Sequence, residues 1–417
     1  MQYKQSQYNY IKKREKVAIY NTFSGGLAIL SKEEYSKLQK IKDCCVIDSS
    51  VHNFLEQGFI IDASKDEQAI VNYCRYRDAF IKRRPTYRIL TTTGCNARCF
   101  YCYEQGRPIH TMSEETAENV ADYIISSAQN AERVTLNWFG GEPLLNPTVI
   151  TLIANKVRLG LANKIISSTI ITNGSLFTQE LIGLAKNIWN LANIQISLDG
   201  LEWCHETRKA YVNYRHSFGK TIETVENLLV EGFHISLRLN YDKSNYKDVI
   251  KLIYYIKKTF GNPPNLTCYA YPLFNVTNSN DYLSGEDIPI FENGMKDALA
   301  ECGYYNPMQT LSRRTNACFA TEPYSCVISP QGILYKCTMD MADLSRSIGN
   351  VKDGIILGEP LVEWTSPVLP DKCQECIMLP ICQGGCRAAR LLNIKMNDCV
   401  IKKQSIEYML DYLLKKY

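Results

Sequence analysis

The chain has 417 residues, of which 45% are hydrophobic, and this composition excludes wholesale disorder. Its 47 basic and 43 acidic side chains leave a formal net charge of +4, which argues against a nucleic-acid partner. No apolar run reaches the ~18 residues of a membrane span, and no secretory signal is recognisable, so we expect a cytoplasmic protein without membrane contact. Because disulfides are rare in that reducing compartment, those of the 17 cysteines that cluster in the sequence are expected to bind metal.

Residues 1–80 are predicted to form a small separate unit of strands, then helices, then a strand. Two strands flank the polar turn at Arg14 and Glu15, and a capping box of Ser31 and Glu34 predicts the start of a helix. A second helix and a short strand are expected within 51–62. Residues 1–20 are strongly basic and carry the charge excess of the whole chain.

From residue 86 onward, six short apolar strands alternate with single amphipathic helices. This order predicts parallel strands joined by right-handed crossovers. Six strands are too few for a complete eight-stranded barrel. The predicted fold class is therefore α/β, with a partial (β/α)6 barrel over residues 86–275. Its functional loops should follow the strands, because ligands bind at the carboxyl ends of parallel strands.

The rest of the chain divides into segments that differ in composition and hydrophobic periodicity. A polar linker and a bridging helix are predicted over 276–312. Residues 313–405 lose regular periodicity and are rich in cysteine, glycine and proline, so this segment is expected to fold around metal. The last residues, 406–417, are predicted to form an amphipathic helix.

The first cysteine group, Cys95, Cys99 and Cys102, directly follows the first barrel strand. Three thiolates can hold three irons of a [4Fe–4S] cluster and leave the fourth iron open to a substrate or cofactor. A structural zinc site usually has four protein ligands, and no fourth Cys or His is close in sequence. Three buried structural cysteines, or a zinc site completed by a distant ligand, are the alternatives.

Polar residues also follow the next four strands. Glycines after the second strand would allow close approach of a ligand to the backbone, and the adjacent glutamate could accept from an ammonium group. Together, the loops are expected to line one ligand pocket whose donors and acceptors suit an amino acid and a ribose. Their candidate residues are Gly140, Gly141, Glu142, Asn173, Ser197, Arg208 and Asn240.

The segment CNARCFYC, the Gly-Gly-Glu motif and the segment ISLDG together resemble the radical S-adenosylmethionine (SAM) enzymes. The resemblance implies that Cys95, Cys99 and Cys102 hold a SAM-binding [4Fe–4S] cluster, which cleaves SAM to a 5′-deoxyadenosyl radical. It further implies contacts of Gly140, Gly141 and Glu142 with the methionyl amine, of Tyr101 with adenine, and of Asn173, Ser197, Arg208 and Asn240 with the ribose or carboxylate. Arg208 is equally well read as a solvated charge on a helix.

The second cysteine group runs from Cys318 to Cys399 and includes the spacing Cys318-x13-Gly332-x4-Cys337. It resembles the SPASM extension of radical SAM enzymes, which carries two auxiliary [4Fe–4S] clusters. The resemblance implies two ligand sets, namely Cys318, Cys326, Cys337 and Cys386 for the first cluster, and Cys373, Cys376, Cys382 and Cys399 for the second. If Cys326 is free instead, the first cluster has an open iron for a substrate thiolate. A pair of zinc sites is the alternative.

The predicted function follows from these resemblances. Residues 1–80 resemble winged-helix domains that bind the leader of a precursor peptide as an added strand. The local basic charge would suit an acidic leader, although it is equally consistent with a solvated surface. We therefore predict a radical SAM/SPASM peptide maturase, of sactipeptide or ranthipeptide type, that forms cysteine thioethers. Its expected partners are a precursor peptide and a reductant such as flavodoxin or ferredoxin.

Three alternatives stay open. Sulfatase-maturing enzymes share all three clusters, but they place an aspartate base directly after the cysteine of Gly-x4-Cys, where this chain has Thr338 and only later Asp340. The others are a maturase that forms carbon–carbon crosslinks and a non-catalytic peptide-binding scaffold with iron–sulfur or zinc sites. Candidates for a catalytic acid or base are Asp340, Tyr271 and Tyr335.

Overall fold

The computed structural model describes residues 2–41, 52–80, 84–212, 216–273, 281–308, 318–393 and 398–417. Its N-terminal elements are β1 (Tyr3–Gln5), β2 (Asn9–Lys13), β3 (Val17–Asn21), β4 (Leu27–Leu30), α1 (Lys32–Lys40), α2 (His52–Glu56), β5 (Ile60–Asp62) and α3 (Glu67–Phe80). Strands β2, β3 and β4 form an antiparallel sheet, and β1 pairs with β5. The predicted capping box of α1 is confirmed, because the Ser31 hydroxyl accepts from the Glu34 amide and the Glu34 carboxylate accepts from the Ser31 amide. The sequence did not predict β1 or α3, and several large apolar side chains of α3 are exposed.

The barrel consists of six parallel strands in sequential order, as predicted. The strands are β6 (Thr86–Leu90), β7 (Arg133–Phe139), β8 (Ile165–Thr172), β9 (Leu191–Leu198), β10 (Ile235–Tyr241) and β11 (Leu266–Pro272). The helices that follow them are α4 (Glu114–Ser127), α5 (Pro147–Gly160), α6 (Gln179–Asn187), α7 (Glu202–Lys209), α8 (Ser217–Val230) and α9 (Tyr246–Phe260). Alternate residues of each strand face the helices, as Tyr87 and Ile89 do in β6, and build the main hydrophobic core. The predicted α/β partial barrel is confirmed.

Helix α7 was not predicted, because its sequence EWCHETRK is mostly polar. Its buried face consists of Cys204, His205, Arg208 and Lys209 and contains no aliphatic side chain. Because α7 lacks apolar residues at helical spacing, the sequence pattern does not predict it. This helix nevertheless carries two charged side chains to the end of the barrel.

The C-terminal part extends the barrel sheet to ten strands. The short strand β12 (Cys326–Ile328) lies parallel to β6, and β13 (Ile333–Tyr335), β14 (Gly349–Asn350) and β15 (Gly354–Ile355) follow in antiparallel pairs. Gly332, with φ of +78°, occupies the turn between β12 and β13, which explains the glycine of the Gly-x4-Cys motif. The sequence did not predict this extension, because each of its strands is only two or three residues long.

The remaining helices connect the C-terminal part with the rest of the protein. They are α10 (Ile288–Glu301), α11 (Glu359–Thr365), α12 (Asp371–Gln374), α13 (Leu379–Cys382), α14 (Arg387–Leu391) and α15 (Asp398–Lys416). Helix α15 starts eight residues before the predicted helix at 406 and packs against both α10 and β3. Among the described residues, no helix combines the length and the apolar character needed to cross a bilayer.

The N-terminal sheet lies between two hydrophobic layers. Its Ile19 face packs on α1 and α2, whereas Ala18 and Tyr20 pack on α13 and α15. Strand β2 is also ion-paired to α15, where Lys12 Nζ lies 2.6 Å from Glu407 and 2.7 Å from Asp411. These contacts fasten the first strands of the chain to its last helix.

We expect acidification to loosen the contact between β2 and α15. Burial by itself raises the pKa of Glu407, but hydrogen bonds from Lys12 and Tyr10 outweigh it and hold the pKa below the ordinary 4.5. Such a carboxylate stabilises the fold above its unfolded-state pKa, and the stabilisation is lost as the pH falls through the folded-state pKa. The loss should be about 1 kcal/mol, because the pair is partly exposed.

Hydrogen exchange of the β2 amides in metal-free protein, compared between about pH 7 and about pH 4, measures this effect. After correction for the intrinsic exchange rate, Glu407→Gln should exchange faster than wild type near neutrality and should lose little more protection in acid. An equal acid sensitivity of the two proteins would contradict the prediction.

Candidate functional site

A cavity of about 290 Å³ opens at the carboxyl ends of the parallel strands. Its walls come from the loops after β6, β7 and β8 and from the ends of β9 and α7. Seven of the predicted site residues line it: Cys95, Cys99, Cys102, Gly140, Gly141, Asn173 and Ser197. The structure thus brings together residues that are more than a hundred positions apart in sequence.

The three thiols of the first cysteine group share this cavity. Burial raises the pKa of Cys95 to about 12, and burial also raises the pKa values of Cys99 and Cys102. The loop is held in place by the Arg98 amide, which donates to the Lys209 carbonyl at 2.8 Å. Metal coordination deprotonates such thiols. No other Cys or His is among the described residues that line the cavity, so the site fits a three-thiolate cluster better than a closed zinc site.

The Gly-Gly-Glu loop approaches the end of β6 too closely for any side chain. A Cβ atom on Gly140 would lie 2.1 Å from the Thr92 carbonyl oxygen, and one on Gly141 would lie 2.3 Å from the Gly94 carbonyl oxygen. Gly140 also has φ of +136°. The two glycines are therefore required by packing, and they leave bare backbone at the cavity wall.

Glu142 is directed into the protein rather than into the cavity. Its buried carboxylate accepts from the Thr172 hydroxyl at 2.7 Å, the Asn173 amide at 2.8 Å and the Leu144 amide at 3.1 Å. Burial raises its pKa despite these bonds. The carboxylate thus ties the loop after β7 to the loop after β8. A direct contact of Glu142 with a substrate amine stays a prediction.

Lys209 is a site residue that the sequence reasoning missed. Its buried ammonium lines the cavity, donates to the Ser197 hydroxyl at 2.6 Å and lies 3.8 Å from Asp199. Burial alone would lower the pKa of Lys209, but Asp199 and the three nearby thiols raise it overall, so the group is a cation. A cation beside the cluster thiols can bind the carboxylate of an amino-acid cofactor.

Arg208 is buried, so its interpretation as a solvated helix charge is wrong. Its guanidinium donates to Asp242 at 2.6 Å and to Ser244 at 2.9 Å, and it lies over the rings of Phe100 and Tyr101. It is not among the residues that line the cavity, so it supports the cysteine loop from behind. Its predicted contact with the ribose or carboxylate stays untested.

Tyr101 and Asn240 also face away from the cavity. The Tyr101 hydroxyl donates to Asp199, and Asn240 Nδ2 donates to the same carboxylate at 3.1 Å. Asp199 is fully buried, and although burial alone raises its pKa, the Lys209 charge and other partners lower it overall. Tyr103, rather than Tyr101, is the tyrosine that lines the cavity. The adenine contact expected of Tyr101 stays a prediction.

The first auxiliary ligand set assembles only in part. Burial, together with the nearby Cys318 and Cys386 thiols, raises the pKa of Cys337 to about 12. Cys326 lies elsewhere: it is fully buried on the helix-facing side of β12, with its Sγ 3.9 Å from the Tyr123 hydroxyl. Its neighbour Val327 points to the opposite side of the sheet. Within the described residues, Cys326 is thus not brought to the other three cysteines.

The four cysteines that the resemblance implies for the second auxiliary set lie together. Burial, and then the thiols of Cys382, Cys376 and Cys373, raise the pKa of Cys399. The N-terminal sheet covers this group, because Cys376 and Cys382 pack with Ala18 and Tyr20. Four thiols in one place fit a fully ligated cluster.

The candidate acids and bases lie away from the cavity wall. Asp340 Oδ1 accepts from Arg346 Nε at 3.0 Å, and Arg346 also pairs with Glu363 at 2.9 Å. Burial raises the pKa of Asp340. Tyr271 lies beneath the Arg238 guanidinium at 4.7 Å, and Tyr335 is buried in β13. Asp340 therefore has a structural role in an ion-pair network, and the catalytic roles of these residues stay predictions.

We expect Lys209→Met to weaken binding of SAM, the cofactor implied by the motif resemblance, by tenfold or more, because it removes a buried cation that can pair with its carboxylate. Equilibrium binding to anaerobically reconstituted protein measures the loss. Lys209→Arg should retain most of the affinity, and Lys186→Met, which changes an exposed lysine on α6, should leave it unchanged. Wild-type affinity in a folded Lys209→Met variant would contradict the assignment.

Comparison with known proteins places this site in a family. Residues 89–256 match the sequence model of the family described as "Radical SAM superfamily". The chain is 25% identical over 425 residues to "Radical SAM cyclopropyl synthase TigE" of Paramaledivibacter caminithermalis, an alignment that covers 89% of this chain and 86% of that protein.

Two solved structures share the fold. Native anSMEcpe with bound AdoMet has a TM-score of 0.62 at 19% identity, and the alignment covers 79% of this chain and 99% of that one. Streptococcus suis SuiB bound to precursor peptide SuiA has a TM-score of 0.55 at 14% identity, with coverage of 95% and 98%. The family implies SAM and one [4Fe–4S] cluster, and the three-thiol cavity lies within the matched segment. The protein is therefore a radical SAM enzyme, with its radical SAM domain over residues 89–256.

Proposed function

We propose that this enzyme modifies a ribosomally synthesised precursor peptide by joining a cysteine sulfur to a carbon atom of another residue. A peptide substrate is supported by SuiB, which is described as bound to precursor peptide SuiA, and by anSMEcpe, which is described with the Kp18Cys peptide. The observation that carries the thioether chemistry is the placement of Cys326 away from Cys318, Cys337 and Cys386.

In the radical SAM site, the residues of the cavity would have different roles. When bound at Cys95, Cys99 and Cys102, a [4Fe–4S] cluster and SAM supply a 5′-deoxyadenosyl radical that removes a hydrogen atom from the substrate. Lys209 holds the carboxylate of the cofactor, and the bare backbone at Gly140 and Gly141 allows its amino group to approach. The apolar side chains in the wall, among them Phe139 and Ile171, limit the access of water.

Three cysteines would hold the first auxiliary cluster. Cys318, Cys337 and Cys386 would provide three ligands, whereas Cys326 faces the helix side of β12 and is not among the groups that shift the pKa of Cys337. The fourth ligand position is then available to the thiolate of a substrate cysteine, which metal binding keeps deprotonated. Forming each link removes one carbon-bound hydrogen, the thiol proton and one electron, so the product lacks two hydrogens.

The second auxiliary cluster would have four cysteine ligands and would exchange electrons. Cys373, Cys376, Cys382 and Cys399 leave no position for a substrate. A cluster with a complete ligand set is suited to electron transfer. It would pass the electron released by link formation to a partner such as flavodoxin or ferredoxin.

Leader binding is proposed for the edge of β4. In the described N-terminal sheet, β3 is the central strand, and β2 is fastened to α15. An extended peptide can add to an open sheet edge through main-chain hydrogen bonds. Lys12 and Arg14 already pair with Glu407 and Asp411, so the attraction of an acidic leader would rest on the other basic side chains of residues 1–20.

A second candidate function is carbon–carbon bond formation. The similarity to the cyclopropyl synthase TigE spans most of both chains and favours it. Sulfatase maturation is less well supported, because Thr338 takes the position of the expected base and Asp340 is held by Arg346.

The ligand assignment predicts different iron contents for two variants. Cys337→Ala should lose about four irons and four sulfides per chain, the content of one cluster. Cys326→Ala should keep wild-type iron and sulfide, as should Cys268→Ala, a matched change at another buried cysteine of the sheet. Equal iron losses in Cys326→Ala and Cys337→Ala would show that Cys326 is a ligand.

The reaction is tested with a precursor encoded by a small cysteine-containing reading frame beside this gene. Under anaerobic reduction, the enzyme should form 5′-deoxyadenosine and a peptide that lacks two hydrogens and one alkylatable thiol for each link. Cys102→Ala should form neither product. Loss of two hydrogens with every thiol still alkylatable would overturn the thioether proposal in favour of a carbon–carbon link.

A further inference from the structure

Arg88 is a cation on the concave face of the barrel. It lies in β6 between Tyr87 and Ile89, which are buried against the helices, so its side chain points to the opposite side of the strand. Leu90 shares this face and packs with Val327 of β12. Arg88 therefore lies on the interior face of the barrel, where it is partly buried and contacts Phe139 of the SAM-cavity wall without lining the cavity itself.

The contacts of Arg88 leave its charge without an acidic partner. Its Nε donates to Asn137 Oδ1 at 2.7 Å, and its Cζ lies 4.9 Å from the ring centre of Phe139 and 4.8 Å from that of Phe319. No Asp or Glu among the described residues forms an ion pair with it. Burial lowers the pKa of Arg88, as expected for a cation that is short of counter-charge.

Its position connects the two proposed reaction centres. Phe139 lines the SAM cavity, whereas Phe319 directly follows Cys318. The thiols of Cys318 and Cys337 also lie close enough to influence the pKa of Arg88. A peptide that reaches from the SAM cavity to the first auxiliary cluster would pass this guanidinium.

We propose that Arg88 binds the carboxylate of an Asp or Glu side chain near the residue being modified. This inference rests on the proposed function, because it assumes a peptide substrate. The terminal amino groups of the planar guanidinium form no hydrogen bond within the described residues, and they match the two oxygens of a carboxylate. A neutral amide in the same place would leave the cation unpaired, and an unpaired charge away from water is costly. Arg88 is thus a specificity-determining residue that selects acidic over amide side chains.

The first test uses the holoenzyme and a precursor encoded by a reading frame beside its gene. Each Asp or Glu of the modified region is changed in turn to Asn or Gln, and KM and kcat are measured separately. One such change should raise KM tenfold or more, Arg88→Gln should raise it equally, and the two changes together should raise it no further. Arg88→Lys should recover part of the loss, and Arg133→Gln, at an exposed arginine of β7, should have no effect.

The second test needs no precursor and separates failure of this inference from failure of the proposed function. N-acetylglutamate amide is the probe, N-acetylglutamine amide is its neutral control, and binding to SAM-loaded enzyme is measured. Wild type and Arg88→Lys should prefer the acid, and Arg88→Gln should bind it at least tenfold more weakly than wild type does. If this preference holds and no peptide is modified, the carboxylate site stands and the peptide function fails.

Equal binding of acid and amide by wild type would overturn the inference, whether or not Arg88→Gln folds. It would also be overturned if the acid-to-amide peptides react alike while Arg88→Gln shifts the reduction potential of the first auxiliary cluster. Arg88 would then balance the charge of that cluster instead of selecting a substrate.

Discussion

Desolvation of three thiols in one cavity is the constraint on which the site depends. Cys95, Cys99 and Cys102 are held where burial opposes their ionisation. A metal centre removes this penalty by taking the thiols as anions, and no further Cys or His of the described cavity wall completes the coordination. The surrounding loops serve this arrangement. Glu142 joins two of them, and the Lys209 carbonyl fixes the cysteine loop from the other side.

The sequence was sufficient for the barrel and for most of the cavity wall, because both leave local patterns. Parallel strands that are buried on both faces read as apolar runs, and close backbone approach at Gly140 and Gly141 demands glycine whatever surrounds it. The cysteines of the second auxiliary group also lie together, as the resemblance to the SPASM extension implied. The strands and the glycine loop are each decided within a few residues, and the cysteine group is recognised by its motif.

Features that depend on side-chain direction were not predictable in the same way. Adjacent residues of α7 point in different directions, because Lys209 lines the cavity whereas Arg208 lies behind the cysteine loop. The side chains of Cys326 and Val327 likewise face opposite sides of β12, a strand that is too short to be predicted from the sequence. Glu142 satisfies backbone donors that come from a different loop. Motif spacing identifies which residues are near a site, but the packing of α7 and β12 decides which of them face it.

The N-terminal sheet limits how far the chain can be shortened. Its Ala18 and Tyr20 cover Cys376 and Cys382, and Thr22 donates to the Ile377 carbonyl between them. A chain without residues 1–80 would leave the thiols of Cys376 and Cys382 uncovered. Dissolved oxygen would then reach these thiols from the solvent. The sheet proposed to bind a leader peptide and the cover over these thiols are therefore one piece of polypeptide, so removing the first also removes the second.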